Sequence, residues 1–251
     1  MCGRFVLARA SSDLAPLFDI AEIADDLPGP SYNFAPSEQI AIVMQPAEKP
    51  RRLASARWGL VPPFKKSLTD GPTPFNARCE KLFTSGMYRF AMARRRAIIP
   101  VDGFYERRKA DRQSYFATPS DGGVLALAGL YEWWQDRADP ERWVLSATII
   151  TRPPQGEMVL IHDRQPLYLA PRLYDDWLDP AADQRALLDA AMDLSGGVAT
   201  ALEYRKVGSG WLSAVPGQKR DDPGLIDAFW CGQGPAVMPD LFRQDPTVMP
   251  D

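Results

Sequence analysis

Histidine is nearly missing from this 251-residue chain, which has a single one at position 162. Cysteine is scarce too: Cys2, Cys79 and Cys231 are odd in number and far apart. With no Cys-x-x-Cys pair and no second histidine, a structural zinc site is not expected. The same scarcity argues against a disulfide framework and for a reducing, cytoplasmic setting. No apolar run approaches the roughly 20 residues of a membrane helix. The N-terminus lacks a basic start followed by an apolar stretch, so no signal peptide is expected. Positive charge is not in excess: 29 Lys and Arg against 32 Asp and Glu give a net charge of −3. That excludes a globally basic nucleic-acid binder but not a local basic groove. No cofactor is expected.

Proline, in contrast, is plentiful, with 24 residues. It cuts the chain into short segments, as expected for many strands joined by ordered loops. Gln39 to Gln45, Arg52 to Leu60, Arg96 to Val101, Val124 to Trp133, Trp143 to Thr151, Met158 to Ile161 and Leu202 to Val207 read as strands. Helices are expected at Leu14 to Ile23 behind a Ser11-Ser12-Asp13 cap, at Pro171 to Leu178 and at Ala182 to Met192, with a helical turn or short helix at Arg78 to Ser85. The fold class is α+β, one domain dominated by antiparallel sheet with peripheral helices. The domain is expected over 1–228. The segment 229–251, with Val-Met-Pro-Asp at 237–240 and again at 248–251, reads as a poorly ordered extension.

Cys2 is the most informative residue. If Met1 is removed, Cys2 carries a free α-amine beside its thiol. Such an aminothiol condenses with an aldehyde to an imine, and the thiol then closes a five-membered thiazolidine. Alternatively, the amine serves as base for its own thiol. Ordinary pKa values of about 8 and about 8.5 leave neutral amine and some thiolate near pH 7. The plain alternative is a small residue after the initiator.

Three further segments carry polar groups suited to chemistry. His162 follows the apolar Met158 to Ile161 and opens a charged loop, a place where a side chain is held yet reaches solvent. Glu106 follows Phe104 and Tyr105, and partial desolvation there raises a carboxylic acid toward neutrality. Asn76 sits two residues before Arg78, an amide for a sugar hydroxyl and a guanidinium for a phosphate. Each also has a structural reading: a core histidine, a solvated glutamate, a helix-capping triplet. Asn33 equally reads as a turn residue. Lys65, Lys66, Arg89, Arg94 to Arg96 and Arg107 to Lys109 interleave with Trp58, Phe64, Phe75, Tyr88 and Phe90. That pattern fits a single-strand nucleic-acid surface, or a solvated face over an aromatic core.

Seven segments in order resemble one family. They are Met1-Cys2-Gly3-Arg4-Phe5, Tyr32-Asn33-Phe34-Ala35-Pro36, Trp58-Gly59-Leu60, Phe75-Asn76-Ala77-Arg78-Cys79-Glu80, Ile99-Pro100-Val101-Asp102-Gly103-Phe104-Tyr105-Glu106, Ala128-Gly129-Leu130-Tyr131-Glu132 and Ile161-His162-Asp163-Arg164-Gln165-Pro166. The family is the SOS response-associated peptidases, SRAP, which process abasic sites. The resemblance implies a barrel-like fold and a monomer that binds single-stranded DNA. It implies a covalent thiazolidine between mature Cys2 and an abasic site, with lyase activity as a further expectation. It also implies roles: Cys2 as nucleophile, Asn76 orienting the opened sugar, Glu106 and His162 as proton-transfer groups. Arg4, Asn33, Phe64, Arg78 and Arg164 are the implied DNA-binding residues. Two rivals stay open: an N-terminal-nucleophile amidohydrolase or peptidase, and a non-catalytic single-strand-binding module.

Overall fold

The computed structural model describes residues 2–212 and 220–228. The expected extension at 229–251, Cys231 included, lies outside the described residues. Among the described residues there are thirteen strands, interrupted by a few helices. In chain order the strands are β1 (Phe5–Leu7), β2 (Glu22–Ile23), β3 (Ser31–Phe34), β4 (Gln39–Met44), β5 (Arg52–Trp58), β6 (Asn76–Arg78) and β7 (Arg96–Val101). They continue with β8 (Gly103–Arg107), β9 (Ser114–Pro119), β10 (Leu125–Gln135), β11 (Trp143–Arg152), β12 (Gln165–Pro166) and β13 (Leu202–Val207). The α-helices are α1 (Ser11–Leu14), α2 (Arg89–Arg94), α3 (Tyr174–Leu178) and α4 (Gln184–Thr200).

Five strands close a barrel. β11 pairs with β10, β10 with β7, β7 with β4 and β4 with β5, all antiparallel. β5 then returns to β11 in parallel, with Ser146 opposite Arg57 and Ala147 opposite Trp58. Closure removes the unpaired edges that a five-stranded sheet would leave open. A second, wholly antiparallel sheet runs β13-β9-β8-β1-β3. The chain crosses from barrel to sheet at Val101-Asp102-Gly103. A Cβ at Gly103 would sit 2.3 Å from the Phe116 ring, so only glycine permits this approach.

Strand alternation positions the chemistry. Side chains of successive strand residues face opposite ways. On β8, Phe104 packs in the main core while Tyr105 joins a separate cluster with Val6, Phe116, Val207, Trp211 and Leu225. Glu106 shares the Phe104 face and is therefore carried inward, 8% exposed. Trp58 joins the two layers: its ring lies 4.9 Å from Phe5 and 5.8 Å from Phe75. Burying about 200 Å² of indole contributes about 5 kcal/mol of transfer free energy. Trp58 Nε1 also donates to the Phe75 carbonyl at 2.9 Å, fixing the residue before Asn76.

Two expected elements change type. The helix expected over Leu14 to Ile23 stops at Leu14, and Glu22–Ile23 is a strand. Pro16 has no N–H to continue the helix, and Asp19 turns to a positive φ of 50°. The helical turn expected within Arg78 to Ser85 is present as a short 3-10 turn at Cys79–Lys81, directly after β6. Met158 to Ile161 is not a strand. Gly156–Leu160 forms a 3-10 turn, where the Ile161 and His162 amides both donate to the Met158 carbonyl at 2.9 Å. Val159 and Leu160 are exposed, so no sheet needs them.

Candidate active site

Four remote segments meet at the N-terminus. Phe5 on β1 pairs with both Phe34 and Phe104, which fixes the chain beginning beside β8. The Tyr105 amide donates to the Arg4 carbonyl at 3.0 Å. One residue further on, Glu106 lies near Cys2. β6 runs parallel to β11, with Asn76 opposite Ile149. From there Asn76 Nδ2 donates to the Cys2 carbonyl at 2.8 Å. β12 pairs with the end of β11, Thr151 opposite Pro166. This brings the preceding loop beside β8, with His162 Nε2 3.9 Å from Glu106 Oε1.

Burial sets the electrostatics. Cys2 is fully buried, and its thiol is pushed far up, first by burial and then by the Glu106 charge. A charged thiolate is therefore disfavoured while Met1 remains attached. Burial lowers the His162 pKa, against the opposing pull of Glu106. The imidazole is thus neutral near pH 7 and able to accept a proton. Asn76 Oδ1 is buried and accepts no hydrogen bond from the described residues.

The expected DNA contacts divide. Arg78 is exposed beside Asn76, and Phe64 is 58% exposed. Arg4 is half-buried and donates to Asn33 Oδ1 at 3.0 Å. Asn33 itself is fully buried, inside β3 rather than in a turn. Its Nδ2 donates to the Trp211 and Arg220 carbonyls at 3.3 and 2.7 Å. Asn33 therefore holds Arg4 from within the fold and is itself closed to a ligand. Arg164 is turned inward. It grips Glu80 with two hydrogen bonds of 2.6 and 3.0 Å and donates to the Thr151 carbonyl at 2.6 Å. That fork holds the Glu80 carboxyl down to about 2. It also anchors the His162 loop to β11.

The basic cluster read from the sequence is partly consumed in the same way. Lys65 is buried, with Nζ on the Gly71 carbonyl at 2.9 Å. Arg96 is buried against the Met92 and Ala93 carbonyls at the end of α2 and the Trp177 carbonyl in α3. Arg95 pairs with Glu132, and Arg108 with Asp111. Arg89 and Arg94 remain exposed.

Sequence reasoning missed three participants. Asp163 touches His162 Nδ1 at 2.8 Å, and Lys109 reaches Asp163 from the β8–β9 hairpin at 3.1 Å. The only signal for Asp163 was its place beside the single histidine; for Lys109 it was membership of the basic run Arg107 to Lys109, which does not point to Asp163. Tyr168 is fully buried, and its hydroxyl is pushed up first by burial and then by Tyr204, with Cys2 and Glu106 adding smaller effects.

Comparison with known proteins shows the family and the fold. The family model described as SOS response associated peptidase (SRAP) matches residues 1–210. Abasic site processing protein YoaM of Bacillus subtilis is 36% identical over 184 residues, 72% of this chain and 80% of that protein. Abasic site processing protein YedK of Escherichia coli is 30% identical over 185 residues, 71% of this chain and 79% of its own. A solved structure of a protein from Bacteroides thetaiotaomicron superposes with a TM-score of 0.75 at 18% identity. It covers 91% of this chain and 100% of that one, a likeness of fold.

Proposed function

Because the chain belongs to the SOS response associated peptidase (SRAP) family, we propose that it processes abasic sites in single-stranded DNA by joining its own N-terminal cysteine to the lesion. The observation that carries this reading is the convergence of Cys2, Asn76, Glu106 and His162 from four distant segments onto the chain's beginning. Relatives named for abasic-site processing support the substrate. Among the described residues no cluster of His, Cys, Asp and Glu suits a metal, and the chemistry below uses none.

An abasic sugar is mostly a closed hemiacetal. Opening it moves a proton from the anomeric hydroxyl to the ring oxygen, leaving an aldehyde at C1. With Met1 removed, the Cys2 amine adds to C1. The resulting hydroxyl is protonated and leaves as water, giving an imine. The Cys2 sulfur then adds to the imine carbon while its proton passes to nitrogen, closing the thiazolidine. The net change is loss of one water. Each stage needs a proton taken up and a proton delivered near C1, the work of Glu106 and His162. Asn76 holds the Cys2 carbonyl with Nδ2, leaving Oδ1 to accept from a sugar hydroxyl. Phe64 offers an exposed ring for a neighbouring base.

Two experiments address this reading. The mature protein should form a heat-stable adduct on a denaturing gel with an abasic single strand. It should form none with the same strand intact or carrying a tetrahydrofuran analogue that has no aldehyde. An equal yield on the analogue would end the aldehyde mechanism. Non-covalent affinity for single strands should fall with salt despite the net charge of −3. Two phosphate contacts, Arg4 and Arg78, give a log–log slope of about −1.4, at about 0.7 per contact. A flat response would remove the phosphate groove.

A further inference from the structure

We propose that Asp163 is a positioning residue that decides which nitrogen of His162 carries the proton, and hence whether Nε2 meets the substrate as acceptor or donor. Two partners with opposite demands share His162 Nδ1. The Asp163 carboxylate lies 2.8 Å away and requires an N–H. The Arg164 backbone amide lies 3.1 Å away and requires a lone pair. A neutral imidazole satisfies only one of them. With Nδ1–H on Asp163, Nε2 keeps its lone pair and accepts. With the Arg164 amide on Nδ1, the proton sits on Nε2, which donates.

The two partners differ in mobility. The Arg164 amide is fixed, because its guanidinium grips Glu80 and Thr151. Asp163 is an exposed side chain, 67% accessible, paired with the equally exposed Lys109 at 3.1 Å. Such an exposed pair adds little stability; its effect is to hold the carboxylate near Nδ1. The groups whose charge reaches the imidazole come from every side: Glu106 on β8, Asp163 on its own loop, Lys109 from the hairpin, and the chain's amino terminus. The carboxylates favour the charged ring, and the cations and burial oppose it.

This inference rests on the abasic-site reading for its purpose. Opening the sugar needs an acceptor for the anomeric proton, whereas release of the carbinolamine hydroxyl needs a donor. With Nδ1–H held on Asp163, Nε2 takes up the anomeric proton and returns it as the imidazolium, so one histidine serves both steps.

The chain has one histidine, so its two ring nitrogens are read without ambiguity in a long-range proton–nitrogen correlation spectrum of labelled protein. The full-length protein, free of DNA, is measured against pH as wild type, Asp163→Ala and Asp163→Asn. Wild type should show mainly Nδ1–H in the neutral ring. Asp163→Ala should move the ring to Nε2–H and lower its titration midpoint, since one favourable negative charge is gone. Asp163→Asn keeps an acceptor oxygen and should retain Nδ1–H with a lowered midpoint. Adduct formation by Asp163→Ala should slow by roughly tenfold, short of the 10²–10⁴ expected for losing the whole group. An Nε2–H tautomer in wild type, or an unchanged tautomer in Asp163→Ala, would overturn the role of Asp163. A tautomer that responds as expected in a protein that forms no adduct would instead overturn the abasic-site reading.

Discussion

Mature protein carrying Cys2→Ala should form no stable adduct with an abasic single strand, while its non-covalent affinity stays within about twofold of wild type. The reason is the division of labour in the site. Arg78 and Phe64, the exposed groups for phosphate and base, are far from position 2 in sequence and independent of its side chain. Alanine at position 2 still offers an α-amine, so an imine should form and be trapped by borohydride. What is lost is the sulfur that closes the ring. A protein with an uncleaved extension before Cys2 should fail at the earlier step, because an amide nitrogen forms no imine, and borohydride should trap nothing. The buried, uncharged thiol fits this order, with amine attack first and sulfur addition second. Cross-linking by Cys2→Ala at the wild-type rate would remove Cys2 from the chemistry.

Glu106→Gln should slow adduct formation by about 10²–10⁴-fold with DNA affinity little changed, the usual cost of losing a general acid or base. The substitution keeps size and hydrogen-bonding shape, and Glu106 is inward on a strand whose register is set by Phe104 opposite Phe5. The pH dependence should change as well. Glu106 raises the His162 pKa and opposes the effect of burial. Removing its charge should lower that pKa further, so the acid limb of any His162-dependent step moves to lower pH. Because the Cys2 amine, Glu106 and His162 lie together, the profile belongs to the group rather than to one residue. A competing structural account has Glu106 stabilising the fold, so melting temperature and affinity would drop together. Melting temperature, affinity and single-turnover rate measured on one preparation separate the two, and an unchanged rate in a folded protein would clear Glu106 of any role.

Much of this architecture is legible in the chain because local signals agree with the final packing. Trp143–Arg152, Leu125–Gln135, Arg96–Val101 and Leu202–Val207 are rich in β-branched or apolar residues and form strands close to the expected bounds. The errors come where tertiary contacts outweigh propensity. α4 runs to Thr200 through Gly196 and Gly197, eight residues past its expected end. Ser195 accepts from the Tyr168 amide there, and Gln155 lies 3.3 Å from the position of a Cβ on Gly196. A short apolar run such as Met158 to Ile161 does not reveal whether a sheet will receive it.

The site shows the same boundary. Each of Cys2, Asn76, Glu106 and His162 stands out by residue type and neighbours, and family order links them. That Arg164 faces Glu80 rather than solvent, and that Asn33 holds Arg4 and the Trp211 and Arg220 carbonyls, depends on pairings across the whole chain. Lys109 reaches Asp163 over 54 positions, a contact no local pattern encodes.

The central claim is a bond between Cys2 and the abasic carbon, and intact mass tests it most directly. The mature protein is incubated with an abasic single strand and its mass recorded without reductant, then after digestion. The account predicts a species equal to the protein lacking Met1 plus the oligonucleotide less one water, with the mass on the peptide that begins at Cys2. An adduct on any other residue, or one formed by protein that still carries Met1, would contradict it.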